Sequence, residues 1–217
     1  MKINAVIFDL DGVLISTDEQ HYEAWNALCE KLGIPFSREN YRAFRGVSRM
    51  ECMNLIEKFR KEPFLPEEKV AYADWKNTRY RALLAELSPD AVSESTRNLL
   101  ALLRDRGFLL AVGSSSRNAR YILERVRLKN AFDAIVDGTD IQNSKPDPEV
   151  FLKAATALGV SPDQCMVVED AAAGIQAALS ARMIAVAIGD AAEAMAGDAQ
   201  ICALPELAGV LDAFERR

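Results

Sequence analysis

Five short apolar runs, at residues 3–8, 108–113, 132–136, 165–168 and 183–187, leave this chain few folds to choose from. None is long enough for a helix, so each reads as a strand, the first two as strands buried on both faces. From residue 90 onward they alternate with stretches of helical periodicity, expected at about 94–106, 117–128 and 171–181. A further helix starts at Asp147-Pro148, where Asp suits the N-cap and Pro the first turn, and ends at Gly159. A short piece near 199–202 and a final helix close the chain. Strands that alternate with helices pair in parallel, with the helices covering both faces of the sheet.

Between the first strand and the rest lies a span with no strand pattern at all. Thr17-x-x-Gln20 has the form of a capping box, and Trp25, Leu28, Cys29 and Leu32 then recur at helical spacing up to Gly33. Further helices are expected at about 38–45, 48–60 and 66–86, with Pro35, Pro63 and Pro66 between them. The span reads as an insertion, dividing the chain into an α/β core of residues 1–15 and 90–217 and a helical domain of residues 16–89. A length of 217 residues, half of them hydrophobic, allows a core of that size.

Charge narrows the function classes. The formal net charge of -6 argues against a nucleic-acid binder, which needs a basic footprint. Cys29, Cys52, Cys165 and Cys202 show no CxxC and no metal-ligand spacing, so they read as reduced, mostly buried thiols. No signal-like N-terminus and no apolar run of membrane-spanning length is apparent, so a soluble, cytoplasmic protein without a membrane partner is expected.

Polar residues mark four strand ends, where open parallel sheets bind ligands. Asp9 and Asp11 follow the first run, and their two-residue spacing would turn both carboxylates to one side of a continuing strand. Such a pair repels unless a cation or proton offsets it, although a solvated acidic turn has the same residues. The second run leads into Gly113-Ser114-Ser115-Ser116-Arg117-Asn118, whose hydroxyls and amides before a helix suit a phosphate as well as an ordinary N-cap. Lys145 lies between Ser144 and Pro146 in a loop, as a phosphate-binding or merely solvated cation. Glu169-Asp170 closes the fourth set with hard oxygen ligands suited to Mg2+.

In this order and placement, Asp9-x-Asp11-Gly12, Ser114, Lys145 and Glu169-Asp170 resemble the four motifs of the haloacid dehalogenase superfamily of phosphotransferases. His21-Tyr22-x-Ala24-Trp25, Gly46-Val47-Ser48-Arg49, Lys76-Asn77, Ser114-x-Ser116-x-Asn118 and Ser144-Lys145-Pro146 further resemble its β-phosphoglucomutase family, over about residues 3–189. The resemblance implies a three-layer Rossmannoid core of that superfamily with a parallel sheet, carrying an inserted all-helical cap. Three positions depart from the family: Ser16 in place of a frequent Asp, Glu94-Ser95 in place of Pro-Gly, and Ala171 in place of Ser. None removes a catalytic group, and the first two bear on how the insertion hinges.

What the resemblance implies about chemistry agrees with the residue types. Asp9 would attack phosphorus and carry an aspartyl phosphate, and Asp11 would act as general acid and base. Mg2+ would be held by the Asp9 carboxylate, the Asp11 carbonyl and Asp170, with Glu169 in support. Ser114, Ser116, Asn118 and Lys145 would bind the transferring phosphate. On the helical domain, Arg49 would grip the phosphate that is not reacting, and Gly46, Val47, Ser48, Lys76 and Trp25 would also bind phosphate or substrate. His21 would bind there too and orient Asp11 and Lys76 when the cap closes, with Thr17 in support. Arg42 and Arg45 share a face with Arg49 at i, i+3, i+7 and read as solvated. The implied reaction interconverts β-D-glucose 1-phosphate and glucose 6-phosphate through the 1,6-bisphosphate. A Mg2+-dependent phosphatase of a small sugar phosphate uses the same core, and a binding protein that has lost catalysis would have little reason to keep all four acidic and basic groups. The partners expected are small sugar phosphates, and a monomer is expected.

Overall fold

An apolar strand with no solvated face must satisfy its amides on both edges, which places the first run at the centre of a sheet. In the computed structural model, which describes residues 2–44 and 47–216, that strand is β1 (Ala5–Phe8). The others are β2 (Leu109–Gly113), β3 (Ala134–Val136), β4 (Cys165–Glu169), β5 (Ile184–Ala187) and β6 (Ala199–Gln200). They form one sheet of order β3-β2-β1-β4-β5-β6, and every pairing is parallel. This is the α/β Rossmannoid architecture expected from the alternation of runs and helices. Phe8 lies opposite both Val112 and Val168, so the residues that follow β1, β2 and β4 emerge at one edge.

The chain divides into two compact units, Met1–Ser16 with Ser88–Arg217, and Thr17–Leu87. The second holds α1 (Asp18–Lys31), α2 (Arg38–Arg42), α3 (Arg49–Glu57) and α4 (Pro66–Leu84). Its core joins Trp25, Leu28 and Cys29 of α1 to Phe44, Met53, Ile56 and Phe64. Ser37 caps α2 through a reciprocal pair with Asn40, and Pro66 opens α4. The capping box expected at Thr17 does not form. The Thr17 hydroxyl instead meets the Tyr80 hydroxyl at 2.8 Å, a partner 63 residues away that local pattern cannot reveal.

The sheet unit carries α5 (Glu94–Asp105), α6 (Ala119–Arg125), α7 (Glu149–Leu158), α8 (Ala172–Ser180), α9 (Gly189–Glu193) and α10 (Leu207–Glu215). Val150, Phe151, Ala154 and Ala155 of α7 pack on Ile7, Ala111 and Val167, and Ile175 and Ala178 of α8 join the same cluster. Helix α7 starts one residue later than its sequence signal. Asp147 still caps it, accepting from the Glu149 amide at 2.9 Å. Cys29, Cys52 and Cys165 are buried free thiols, and Cys202 is exposed. No helix among the described residues is long and apolar enough to cross a membrane.

Candidate active site

The pairing of β1 with β4 runs one residue past the strand, since the Asp9 amide donates to the Val168 carbonyl at 3.0 Å. This fixes the Asp9 backbone at the sheet edge, with only 7% of the residue exposed. The chain then turns. Gly12 donates to the Ile15 carbonyl at 2.8 Å and Leu14 to that of Leu10 at 3.0 Å. Because the strand ends at Phe8, its two-residue alternation does not extend to Asp11, which lies in the turn and bridges to Ile15. The convergence expected of the Asp9 and Asp11 carboxylates as neighbours on one strand therefore has no strand to rest on.

Asp9 is joined instead by residues distant in sequence. The Lys145 ammonium donates to Asp9 Oδ1 and, at 2.9 Å, to Glu169 Oε2. Carboxylate oxygens of Asp9, Glu169 and Asp170 lie within 4.8 Å of one another. Two glycines make room for them. Gly12 has φ +86°, and a Cβ there would fall 2.0 Å from Asp170 Oδ2. A Cβ on Gly174 would fall 2.1 Å from the Glu169 carboxyl carbon. Lys145 is presented by the loop before α7, where its peptide bond to Pro146 is cis. Glu149, at the start of α7, orders that loop by accepting from the amides of Gln142 at 3.0 Å and Asn143 at 2.8 Å.

One ammonium among three carboxylates leaves an excess of negative charge in a dry place. Burial and then the charge of Asp9 push the Glu169 carboxyl up to about 8, against the pull of Lys145. Burial alone would lower Lys145, but the charges of Asp9 and Glu169 outweigh it and hold the ammonium well above its ordinary range. An oxygen-only set with this surplus of charge suits a hard divalent cation such as Mg2+. Mg2+ is expected to raise the melting temperature, by linkage to the folded state, and EDTA to reverse the rise. A melting temperature indifferent to Mg2+ would remove the metal from this site.

At the end of β2, Ser114 is buried and its amide donates to the Val136 carbonyl at 3.0 Å. Its hydroxyl accepts from the Ser116 amide at 3.1 Å, and the Ser116 hydroxyl from the Asn118 amide at 3.3 Å. These bonds turn the chain into α6, so its helical start moves to Ala119. A hydroxyl that accepts from backbone keeps its own proton to donate, which leaves Ser114 and Ser116 suited to a phosphate oxygen.

The helical unit gathers a second cluster. Arg49 opens α3, donating to Asn77 Oδ1 at 2.8 Å and lying 3.7 Å from Asp74. Lys76 is 2% exposed, with its ammonium 2.9 Å from His21 Nδ1 and over the rings of Trp25 at 4.7 Å and Tyr80 at 4.4 Å. Ser48 is the N-cap of α3, accepting from the Glu51 amide at 3.3 Å, and Val47 packs on the unit's core. Arg42 is exposed. Gly46 and Arg45 lie outside the described residues.

Burial first, then the charges of Lys76 and Arg49, hold His21 well below its ordinary 6.5. As pH falls below about 6.5 the unfolded chain takes up this proton before the folded one does. The stability tied to His21 is therefore complete above that pH and is lost as pH falls through the lower folded value. Melting curves of the parent and a His21→Gln variant between about pH 7.5 and 5.5 test this. The parent should lose stability the faster of the two, and parallel curves would show an imidazole that titrates normally.

The family model for haloacid dehalogenase-like hydrolases matches residues 3–182. The chain belongs to the haloacid dehalogenase-like hydrolases. It is 39% identical to a β-phosphoglucomutase of Bacillus subtilis over 198 residues, 90% of this chain and 88% of that one. It is also 32% identical to a phosphorylated carbohydrates phosphatase of Thermotoga maritima over 182 residues, 82% of each chain. The crystal structure of a β-phosphoglucomutase from Clostridium difficile superposes with a TM-score of 0.90 at 33% identity, covering 99% of this chain and 100% of that one. As a haloacid dehalogenase-like enzyme the chain thus has relatives of two kinds, a mutase and a phosphatase. Two residues of the site carry no motif signal. Glu149 reads as an ordinary first-turn acid, and Tyr80 as one more aromatic in a helix.

Proposed function

We propose that the chain is a β-phosphoglucomutase, interconverting β-D-glucose 1-phosphate and glucose 6-phosphate through β-glucose 1,6-bisphosphate. The observation that carries this reading is a second anchored cation set, Arg49 on Asn77 and Lys76 on His21 within the helical unit, in addition to Lys145 within the sheet unit. A monophosphate hydrolase needs one phosphate site, whereas a bisphosphate intermediate needs two.

In this reading an Asp9 carboxylate oxygen attacks phosphorus, and the bond from phosphorus to the sugar oxygen breaks. The Asp11 carboxyl hands its proton to the departing oxygen, then takes one from the hydroxyl that receives the phosphoryl group in the return step. Lys145 and Ser114 neutralise the phosphoryl oxygens as charge moves onto them. Mg2+, held by the carboxylates of Asp9 and Asp170 and the Asp11 carbonyl with Glu169 in support, would add positive charge on the same oxygens. Arg49 grips the phosphate that is not being transferred.

A phosphatase of a small sugar phosphate is the second reading, favoured by the similarity to the Thermotoga maritima phosphatase. Product analysis on β-glucose 1-phosphate with Mg2+ and a trace of the bisphosphate separates the two. Glucose 6-phosphate supports the mutase, free phosphate the phosphatase, and neither product would overturn both. EDTA should stop either reaction.

Arg49 distinguishes them further. Loss of a charge-assisted contact of about 1.5–3 kcal/mol is roughly ten- to a hundred-fold in rate. Arg49→Ala should lower mutase turnover by that order. Phosphoryl transfer from acetyl phosphate to Asp9 should change far less, because that donor has no second phosphate. Equal losses in both assays would make Arg49 structural.

A further inference from the structure

Tyr80 has no part in the chemistry above, yet it touches three of the residues in the helical cluster. Thr17 and His21 stand four apart at the start of α1, and Lys76 and Tyr80 four apart on α4, so each pair lines one helix face. The two helices pack on each other. Tyr80 is 1% exposed, and its hydroxyl meets the Thr17 hydroxyl at 2.8 Å. Its ring stacks on the His21 imidazole, with centroids 4.0 Å apart and planes 28° from parallel. The Lys76 ammonium lies 4.4 Å from the same ring, over a face that attracts cations.

An ammonium only donates, so His21 Nδ1, 2.9 Å from Lys76, must accept. A neutral imidazole whose Nδ1 accepts carries its proton on Nε2. One ring therefore holds the plane of His21 and the position of the cation that selects its tautomer. We propose that Tyr80 is a positioning residue of the active site, fixing His21 as an Nε2–H donor beside Lys76, with its own ring held by Thr17. The kinetic consequence rests on the mutase reading, while the tautomer rests on the geometry alone.

His21 is the only histidine in the chain, so its ring nitrogens give one unambiguous set of 15N signals. Among the described residues, Lys76 on α4 and Arg49 on α3 are the charged groups that act on it. In the parent the signals should report protonated Nε2 and bare Nδ1. Tyr80→Phe keeps the ring and should keep that signature, with kcat down about three- to ten-fold. Thr17→Val removes the same bond from its other end and should give a similar loss. The double variant should lose less than the sum of the two single losses, because the bond they share can be removed only once.

Tyr80→Leu removes both ring contacts. It should give mixed tautomers and lower kcat about a hundred-fold, with a smaller change in KM and with Asp9 still phosphorylated by acetyl phosphate. A purely structural tyrosine would lower the melting temperature and leave the tautomer alone. Parent-like His21 signals and kcat in Tyr80→Leu would overturn the proposal. If that variant does not fold, the cycle decides, and additive losses in Tyr80→Phe and Thr17→Val would overturn it. A parent that makes no glucose 6-phosphate would end the mutase reading, and the 15N signals would still decide the role of Tyr80.

Discussion

Asp9→Asn is expected to abolish turnover while leaving the fold in place. The carboxamide has nearly the shape of the carboxylate and still offers an oxygen to the Lys145 ammonium, its partner in the parent. It lacks the negative charge that, in the proposed mechanism, makes the group a nucleophile, and it removes one of the three carboxylates in the cluster. Losing a nucleophile that works with its neighbours as a unit costs about 10⁴-fold or more. Stability should hold, since the Asp9 charge is one cause of the strain on Glu169, and its removal relieves that repulsion. Acetyl phosphate should label the parent with one base-labile phosphoryl group and leave the variant unlabelled. A well-folded Asn variant that kept even about a hundredth of the parent's turnover would end the phospho-aspartate mechanism.

Lys145→Met should damage stability and activity together. The side chains of Lys145, Asp9 and Glu169 are nearly sealed from water, at 7%, 10% and 3% exposed. Removing the ammonium takes from two buried carboxylates the counter-charge they share, and breaking a buried pair from one side costs about 3–5 kcal/mol. Phosphoryl transfer should fall about 10²–10³-fold with the loss of a positioned positive charge on the transferring oxygens. Mg2+ should recover more of the stability than of the rate, because it can replace the missing charge but not the ammonium's hydrogen bonds. Urea unfolding with and without Mg2+, set beside the rates, measures both. A variant as stable as the parent without metal would show that Lys145 offsets little of the repulsion.

The sheet was legible in the sequence because five apolar runs have no alternative burial. Asp9 and Glu169-Asp170 were legible because polar residues just past such runs emerge at one edge, whereas Lys145, nine residues beyond the third run, was legible only through its motif. What was not legible depends on partners far away in the chain. Thr17 followed by Gln20 matches a capping box, but nothing local shows that the Thr17 hydroxyl is taken by Tyr80. Tyr80 itself becomes visible only when the faces of α1 and α4 are known to meet. Asp9 and Asp11 read as neighbours on a strand because the turn bonds that end β1 leave no mark on a two-residue spacing. Helix α9, five residues between β5 and β6, is too short to show a period at all.

The burial of the two lysines has a use at the bench. Lys2, Lys31, Lys58, Lys61, Lys129 and Lys153 are exposed, whereas Lys76 is 2% exposed and the side chain of Lys145 7%. Acylating reagents need a deprotonated, reachable amine, and Lys145 is neither, being held in its charged form by Asp9 and Glu169. Amine coupling to a resin or a dye should therefore consume the outer lysines and spare Lys76 and Lys145. The protein should couple through its outer lysines with both of those amines unmodified.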